Sequence, residues 1–457
     1  MLGLDRFKSM KSGLMTSNGY PIAIDFGTAA LKVLQIGPGD LPMLLAAACL
    51  PTPEALLGDA VKRLAFQIEQ LPNLIRKAGF KGKRAVCSMP AGQTFCKHLQ
   101  ITHTDGISTI DLVKMSVAQQ LGCNADALVC RMLEVGAAGA PGQMEVIGLA
   151  ASRATVARLM DAIRSCKLEP VGMHPECAAV VKCFDHITKR AGDEHLVTLY
   201  LDIGLGCTRV IIANGVRPVF AKTILLGGRF LDQTIAKQAK VDLAEARKIR
   251  LGLLNLCAPQ PGKGGPTPVI SEDAPAPDGG MAVLNAAMAA HAKQIAPLEK
   301  AAEIAKVLSP EIDRRSGPEQ PPMAGDAAGL ALPSNRRTPA KQGYAAYDLG
   351  QYPPPPEGVC LREALDILTD EIRMCLRYHE GLFPGKRMGR IIFVGGEARH
   401  MALCQHIAKA LKAPAHVADP LARLGRDGHE QLTGVEFSQT QPGWAVPVGL
   451  CLLPTDL

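Results

Sequence analysis

Residues 22–36 read IAIDFGTAALKVLQI. A short apolar run ends on the carboxylate of Asp25, the chain reverses through Gly27 and Thr28, and a second apolar run follows. Residues 199–215, LYLDIGLGCTRVIIANG, repeat the pattern, with Asp202 at the end of the first run, then Gly204, Gly206 and Thr208. Each stretch predicts a strand–turn–strand hairpin. Glycines in such turns let backbone N–H groups approach an anion with no Cβ in the way, and the hydroxyls of Thr28 and Thr208 add donors. Asp25 and Asp202, at the strand ends, are placed to hold the water shell of a magnesium ion, which favours a few carboxylates together with phosphate oxygens. One such hairpin alone reads as an ordinary turn; the weight comes from the pair, one opening each half of the chain.

Two further pieces follow. IIFVGGEAR (391–399) predicts a buried strand ending in Gly395 and Gly396 with a helix close behind, and small residues there leave room for a flat ring against the backbone. AEARKIRLG (244–252) places Glu245 and Lys248 at i and i+3 on one helix face, where a carboxylate can accept from ribose hydroxyls or pair with its neighbour on a solvated surface.

With 457 residues and 47% apolar content the chain is long enough for two or three domains with hydrophobic cores. A net charge of +7 is too mild to point to nucleic acid, and 4% aromatic residues supply few platforms for stacked bases. The 14 cysteines stand singly with no Cys-x-x-Cys pair, which argues against a zinc ribbon or a dithiol site and for reduced, buried thiols. No stretch reaches the ~18 apolar residues of a membrane span; LPMLLAAACL (41–50) is too short. The start, MLGLDRFKSMKSGLM, lacks the apolar core of a signal peptide, and both a frayed leader and a membrane-surface helix are compatible with it.

Residues 258–358 hold half of the 34 prolines and are rich in Ala and Gly, a composition that predicts a long, mostly disordered insertion with a helix over 281–308. Elsewhere strand and helix signals alternate. Two strands flank a Met-Pro turn in 83–101, helices are expected over 109–122 and 153–168, and strands over 143–152 and 169–175. Downstream come helix, break, helix over 230–252, a strong helix over 361–382, and strand, Gly-Gly turn, helix over 389–414. The class is α/β.

These motifs, in this order, resemble the nucleotide-binding fold shared by actin, the heat-shock chaperones, sugar kinases and FtsA. Within it the chain resembles the PilM family, cytoplasmic actin-like proteins of type IV pilus assembly related to FtsA, with Lys32 in the place of that family's lysine. Residues 200–236 are similar to its second phosphate loop and Gly-Gly step, and ADPLARL (418–424) to the strand after its adenosine motif. The resemblance implies a two-lobed actin-like (ribonuclease H-like) ATPase fold with an inserted α+β subdomain, 1C. The first lobe would take 20–98 and 166–198, the insert 99–165, and the second lobe 199–257 and 359–457, after a flexible leader over 1–19. It implies ATP and Mg2+ as ligands, with Asp25 and Asp202 holding the magnesium through water. Gly27, Thr28, Lys32, Gly204, Gly206 and Thr208 would hold phosphates, Glu245 and Lys248 ribose or base, and Gly395 and Gly396 adenine, with Gly227 and Gly228 near the ribose. The sequence departs from the pattern at Leu205 and Cys207, which remove phosphate donors, and at Glu397 and Arg399, which bring charge to the adenosine turn.

The implied job is structural: a nucleotide-dependent scaffold, at most a slow ATPase with no catalytic residue assigned, at the inner face of the inner membrane and peripheral to it. Its partner would be the cytoplasmic tail of a PilN-like inner-membrane protein, docked as an extended peptide beside the insert, with other pilus platform proteins and self-association left open. Two alternatives remain: a small-molecule kinase of the same superfamily, for which no Asp stands in a convincing setting for a base, and an FtsA-like filament former, whose closing amphipathic helix the sequence does not show.

Overall fold

The structure, a computed structural model, describes residues 20–38, 41–137, 142–188, 196–256, 356, 358–435, 437 and 440–455. The leader, almost all of the Pro-rich stretch and the helix expected over 281–308 lie outside the described residues.

The chain builds one sheet arrangement twice. In the first half β1 (Ile22–Phe26), β2 (Ala30–Gly37) and β3 (Met43–Pro51) form an antiparallel meander. Helix α1 (Ala60–Lys77), capped by Asp59 accepting from the Val61 and Lys62 amides, leads to β4 (Arg84–Met89), which pairs parallel with β1 on its other side. The excursion β5 (Phe95–Thr102), α2 (Thr109–Leu121), β6 (Leu128–Ala137) and β7 (Gln143–Ser152) makes a separate sheet in the order β5-β7-β6. Helix α3 (Arg153–Ser165) brings the chain back to β8 (Glu169–Pro175), parallel to β4, and to α4 (Glu176–Cys183).

The second half repeats this with β9 (Val197–Ile203), β10 (Thr208–Asn214) and β11 (Arg217–Ile224) as the meander, then α5 (Gly228–Ala239), α6 (Leu243–Leu256) and α7 (Arg362–Leu382). Strand β12 (Met388–Val394), α8 (Met401–Leu411) and β13 (Ala415–Val417) complete a sheet ordered β11-β10-β9-β12-β13. Strands β1 and β9 are central and buried on both faces, which is why their sequences are continuous apolar runs rather than alternating ones. Asp25 and Asp202 are the charged exceptions, and both face the seam between the sheets.

Three expectations need correction. Residues 418–424 form turns, with Asp419 Oδ1 accepting from the Leu421 amide at 3.1 Å, and the strand after the Gly-Gly helix is β13. The insert does not extend to residue 165, because Leu159 and Ile163 of α3 are buried in the core under the first sheet. Nor does the end of the chain belong wholly to the second lobe. Strand β14 (Gln431–Thr433) joins β3 at the edge of the first sheet, and α9 (Ala445–Leu452) packs on α4, β1 and β2. Residues Ala445–Cys451 of α9 are all buried, so this helix needs a slot enclosed on every side, and the first sheet with α4 provides it.

Candidate functional site

The two hairpins meet across the seam. In the first, Asp25 lies opposite Lys32 in the β1–β2 register; in the second, Asp202 lies opposite Arg209. A Cβ on Gly206 would sit 3.0 Å from Thr28 Oγ1, so the turns are in contact. Gly395 has φ +91°, and a Cβ there would come within 2.5 Å of Asp202 Oδ1; both the left-handed backbone and the close approach demand glycine. Around these turns runs a cavity of about 310 Å³, at the small end of ligand sites.

Its floor carries three buried carboxylates. Asp25 accepts from Ser88 Oγ at 2.9 Å, and burial, opposed by Lys32 and Ser88, pushes its carboxyl up. Asp202 takes Nε and Nη2 of Arg209 on one oxygen, at 3.0 and 2.6 Å. Glu176, first residue of α4, is paired with Nη1 of the same guanidinium. Burial pushes the Glu176 carboxyl up, against the pull of Arg209. Burial also works against the charge on Arg209, but Asp202 and Glu176 outweigh it and the group stays protonated.

The walls are basic. Arg63 comes from α1, Arg229 from α5, Arg247 from α6 and Arg399 from the turn after β12. Arg247 reaches across the mouth to Glu54 at 3.0 Å, and a Cβ on Gly58 would meet Arg229 Nη2 at 2.5 Å, so both side chains bridge the two halves. Lys32 Nζ donates to the Gly443 carbonyl. Glu397 also lines the cavity, but it is held from behind by Arg250, which bonds Asp232 as well. Burial pushes the Glu397 carboxyl up, and Arg250 overrides it and holds the group down at about 2.

Of the residues singled out in the sequence, Asp25, Gly27, Thr28, Lys32, Asp202, Gly204, Gly206, Gly395 and Gly396 line this cavity together. Five do not. Thr208 is buried and its hydroxyl donates to the Leu226 carbonyl at 2.7 Å, so it serves the hairpin rather than a ligand. Glu245 and Lys248 bond each other at 3.1 Å on the exposed side of α6, while Arg247 and Leu251, four residues apart, are the pair facing the cavity. Gly227 lies beneath the second hairpin, where a Cβ would come within 2.8 Å of the Cys207 amide. Gly228 makes room for the Glu397 carboxylate, which a Cβ would meet at 2.5 Å. Arg209 and Glu176 were missed. For Arg209 the signal was present: a hairpin with four turn residues after Ile203 places it opposite Asp202.

No family model and no curated protein matches the sequence. A chain of a PilM–PilN type IV pilus biogenesis complex matches in structure, with 17% identity, 95% of this chain and 98% of that chain covered, and a TM-score of 0.61. The two share one fold. It is the two-lobed actin-like architecture that the resemblance implies. More distant likenesses are ethanolamine utilization protein EutJ from Carboxydothermus hydrogenoformans (11% identity, 95% and 89% covered, TM-score 0.38) and MreB5 of Spiroplasma citri bound to ADP (9% identity, 95% and 95% covered, TM-score 0.37).

The cavity suits a phosphorylated ligand: glycine turns offer backbone donors, and Lys32, Arg63, Arg229, Arg247 and Arg399 supply positive charge. At Gly396 a Cβ would meet nothing within 4 Å, so open space lies above that peptide for a flat ring. The donor set does not suit the expected magnesium ion. Asp202 is engaged by Arg209, as is Glu176, and Asp25 is engaged by Ser88.

Proposed function

We propose that the chain is a nucleotide-binding scaffold of a type IV pilus assembly platform, or of a related type II secretion platform. ATP occupies the cleft, and its binding is coupled to capture of the cytoplasmic tail of a PilN-like inner-membrane protein, which holds the chain at the inner face of that membrane. The observation that carries this reading is the glycine-turned, arginine-walled cleft at the seam of a fold shared with a chain of the PilM–PilN complex. Among the described residues no helix is long and apolar enough to cross a membrane, so attachment through a partner is the simplest route. Ligand and partner influence each other because Arg229 and Arg247 close the cleft from one lobe onto the other.

A kinase is disfavoured by the carboxylates. Among the described cavity residues each acid already has a partner: Asp25 has Ser88, Asp202 and Glu176 have Arg209, and Glu397 has Arg250. None stands free as a base for an acceptor hydroxyl.

Calorimetric titration with ATP tests the reading. Binding is expected, and Arg229→Ala and Arg247→Ala are each expected to weaken it by about tenfold or more, since a charge-assisted hydrogen bond contributes about 1.5–3 kcal/mol. Phosphate release in the same samples is expected to fall far below the ~1–100 per second of kinases. A tail peptide of the PilN type is expected to bind more tightly with ATP present; equal affinity with and without ATP would sink the coupling.

A further inference from the structure

Three carboxylates converge at the seam, yet a cation is already built in among them. Arg209 leaves β10 directly opposite Asp202. It grips one Asp202 oxygen with two nitrogens and Glu176 with the third. Asp202 and Glu176 are 2% and 6% exposed. The third acid, Asp25, has Ser88 at 2.9 Å and Lys32 as its cross-strand neighbour. A guanidinium does not give up its proton at any ordinary pH, and a planar fork held on two sides has little freedom to swing away. Magnesium demands near-ideal octahedral geometry, gives up its waters reluctantly and draws on carboxylate charge. Here Asp202 and Glu176 share that charge with Arg209, and a divalent ion would have to settle beside a fixed positive group.

We infer that Arg209 stands in the place of the metal, so that the cleft holds the phosphates of a nucleoside di- or triphosphate without a divalent cation. The ligand's negative charge is met by the chain's own cations: Lys32 on the floor, and Arg63, Arg229 and Arg247 on the walls. The inference rests on the nucleotide reading above and goes beyond it by naming the ionic form of the ligand. It also accounts for the wealth of arginine, because a nucleotide stripped of its metal carries more charge for the protein to neutralise.

Two titrations of the full chain with ATP decide the matter, one in excess EDTA and one in excess magnesium chloride. The affinities are expected to agree within about threefold. A gain of about tenfold or more with magnesium keeps the nucleotide reading and overturns this inference. Absence of binding in both buffers fails the nucleotide reading and takes this inference with it, a result distinct from the previous one. Manganese binding to the nucleotide-free chain, followed by electron paramagnetic resonance, gives a readout independent of ATP. The wild-type cleft is expected to bind none, and manganese bound by the wild type but lost in Asp202→Asn would overturn the inference. Arg209→Ser, which releases Asp202 and Glu176, is expected to gain a manganese site and to make ATP affinity rise about tenfold or more with magnesium. If that variant does not fold, the two wild-type titrations still decide.

Discussion

Replacing Arg250 by methionine is expected to destabilise the fold by about 3–5 kcal/mol, the usual effect of removing one member of a buried ion pair. At about 2–4 °C per kcal/mol for domains of this size, that lowers the unfolding midpoint by about 6–20 °C. Arg250 is 0% exposed and lies on α6. It bonds Asp232 of α5 at 2.5 Å and the Glu397 carboxylate in the turn after β12. One guanidinium therefore ties together the two helices and the Gly-Gly turn that form one wall of the cleft. Methionine fills much of the volume but leaves two buried carboxylates without the guanidinium that pairs them.

Acid separates charge from packing as the cause. In the wild type Glu397 titrates at about 2 instead of its ordinary 4.5. A carboxyl depressed in the folded state stabilises the fold above its ordinary value and loses that contribution as the pH falls toward the folded one. In the wild type the contribution is therefore present above about 4.5 and is lost between there and about 2. In Arg250→Met the largest influence opposing burial is gone, Glu397 takes up its proton at a higher pH, and the deficit against wild type shrinks from pH 7 to pH 4. Adding Glu397→Gln is expected to recover part of the loss at pH 7. A deficit constant across that range, with no recovery in the double variant, would show that lost packing rather than unpaired charge is responsible. Thermal unfolding at three pH values reads both outcomes.

How far the sequence disclosed this molecule follows from the range of its forces. The hairpins were legible because everything that makes them is local: an apolar run, a carboxylate, a glycine reversal, a second run. The nine cavity residues that they and the Gly-Gly turn supply came with them. The repeat also explains why two stretches so far apart look alike, since β1 and β9 hold the same central place in two sheets of the same order. The arginine walls were not legible. Arg63, Arg229 and Arg247 stand on three helices whose sequences give no sign that they face one another. Glu245 and Lys248 were misplaced for a related reason. An i, i+3 spacing shows that two residues share a helix face but not which face is buried, and Arg247 and Leu251 took the inner one. Helix α9 was missed because it is apolar all round and short, with Pro447 in its first turn, so it carries no 3.6-residue alternation to detect.

That helix bears the second large effect. Gly449→Val is expected to destabilise the first lobe by about 3 kcal/mol or more, because the added side chain meets backbone rather than a flexible tip. A Cβ on Gly449 would run into the carbonyl group of Ala179 on α4, coming within 2.5 Å of its carbon. Ala445 and Gly449 are four residues apart, so small residues stack along one face of α9 and admit the α4 backbone. The substitution must push the helices apart, and the displacement reaches the cleft. Trp444, Ala445 and Val446 line the cavity at the start of α9, and the preceding Gly443 carbonyl accepts from Lys32. Stability and nucleotide affinity are thus expected to fall together. Leu450→Ala supplies the contrast. Leu450 is 0% exposed on the same helix, and truncating it costs about 2–5 kcal/mol through a cavity. The helix itself stays in place, so ATP affinity is expected to hold within about threefold. Equal loss of affinity in both variants would mean that global unfolding, not the position of α9, controls the cleft. A Gly449→Val chain as stable as wild type would mean that the two helices can separate at no cost, contrary to the contact between Gly449 and Ala179.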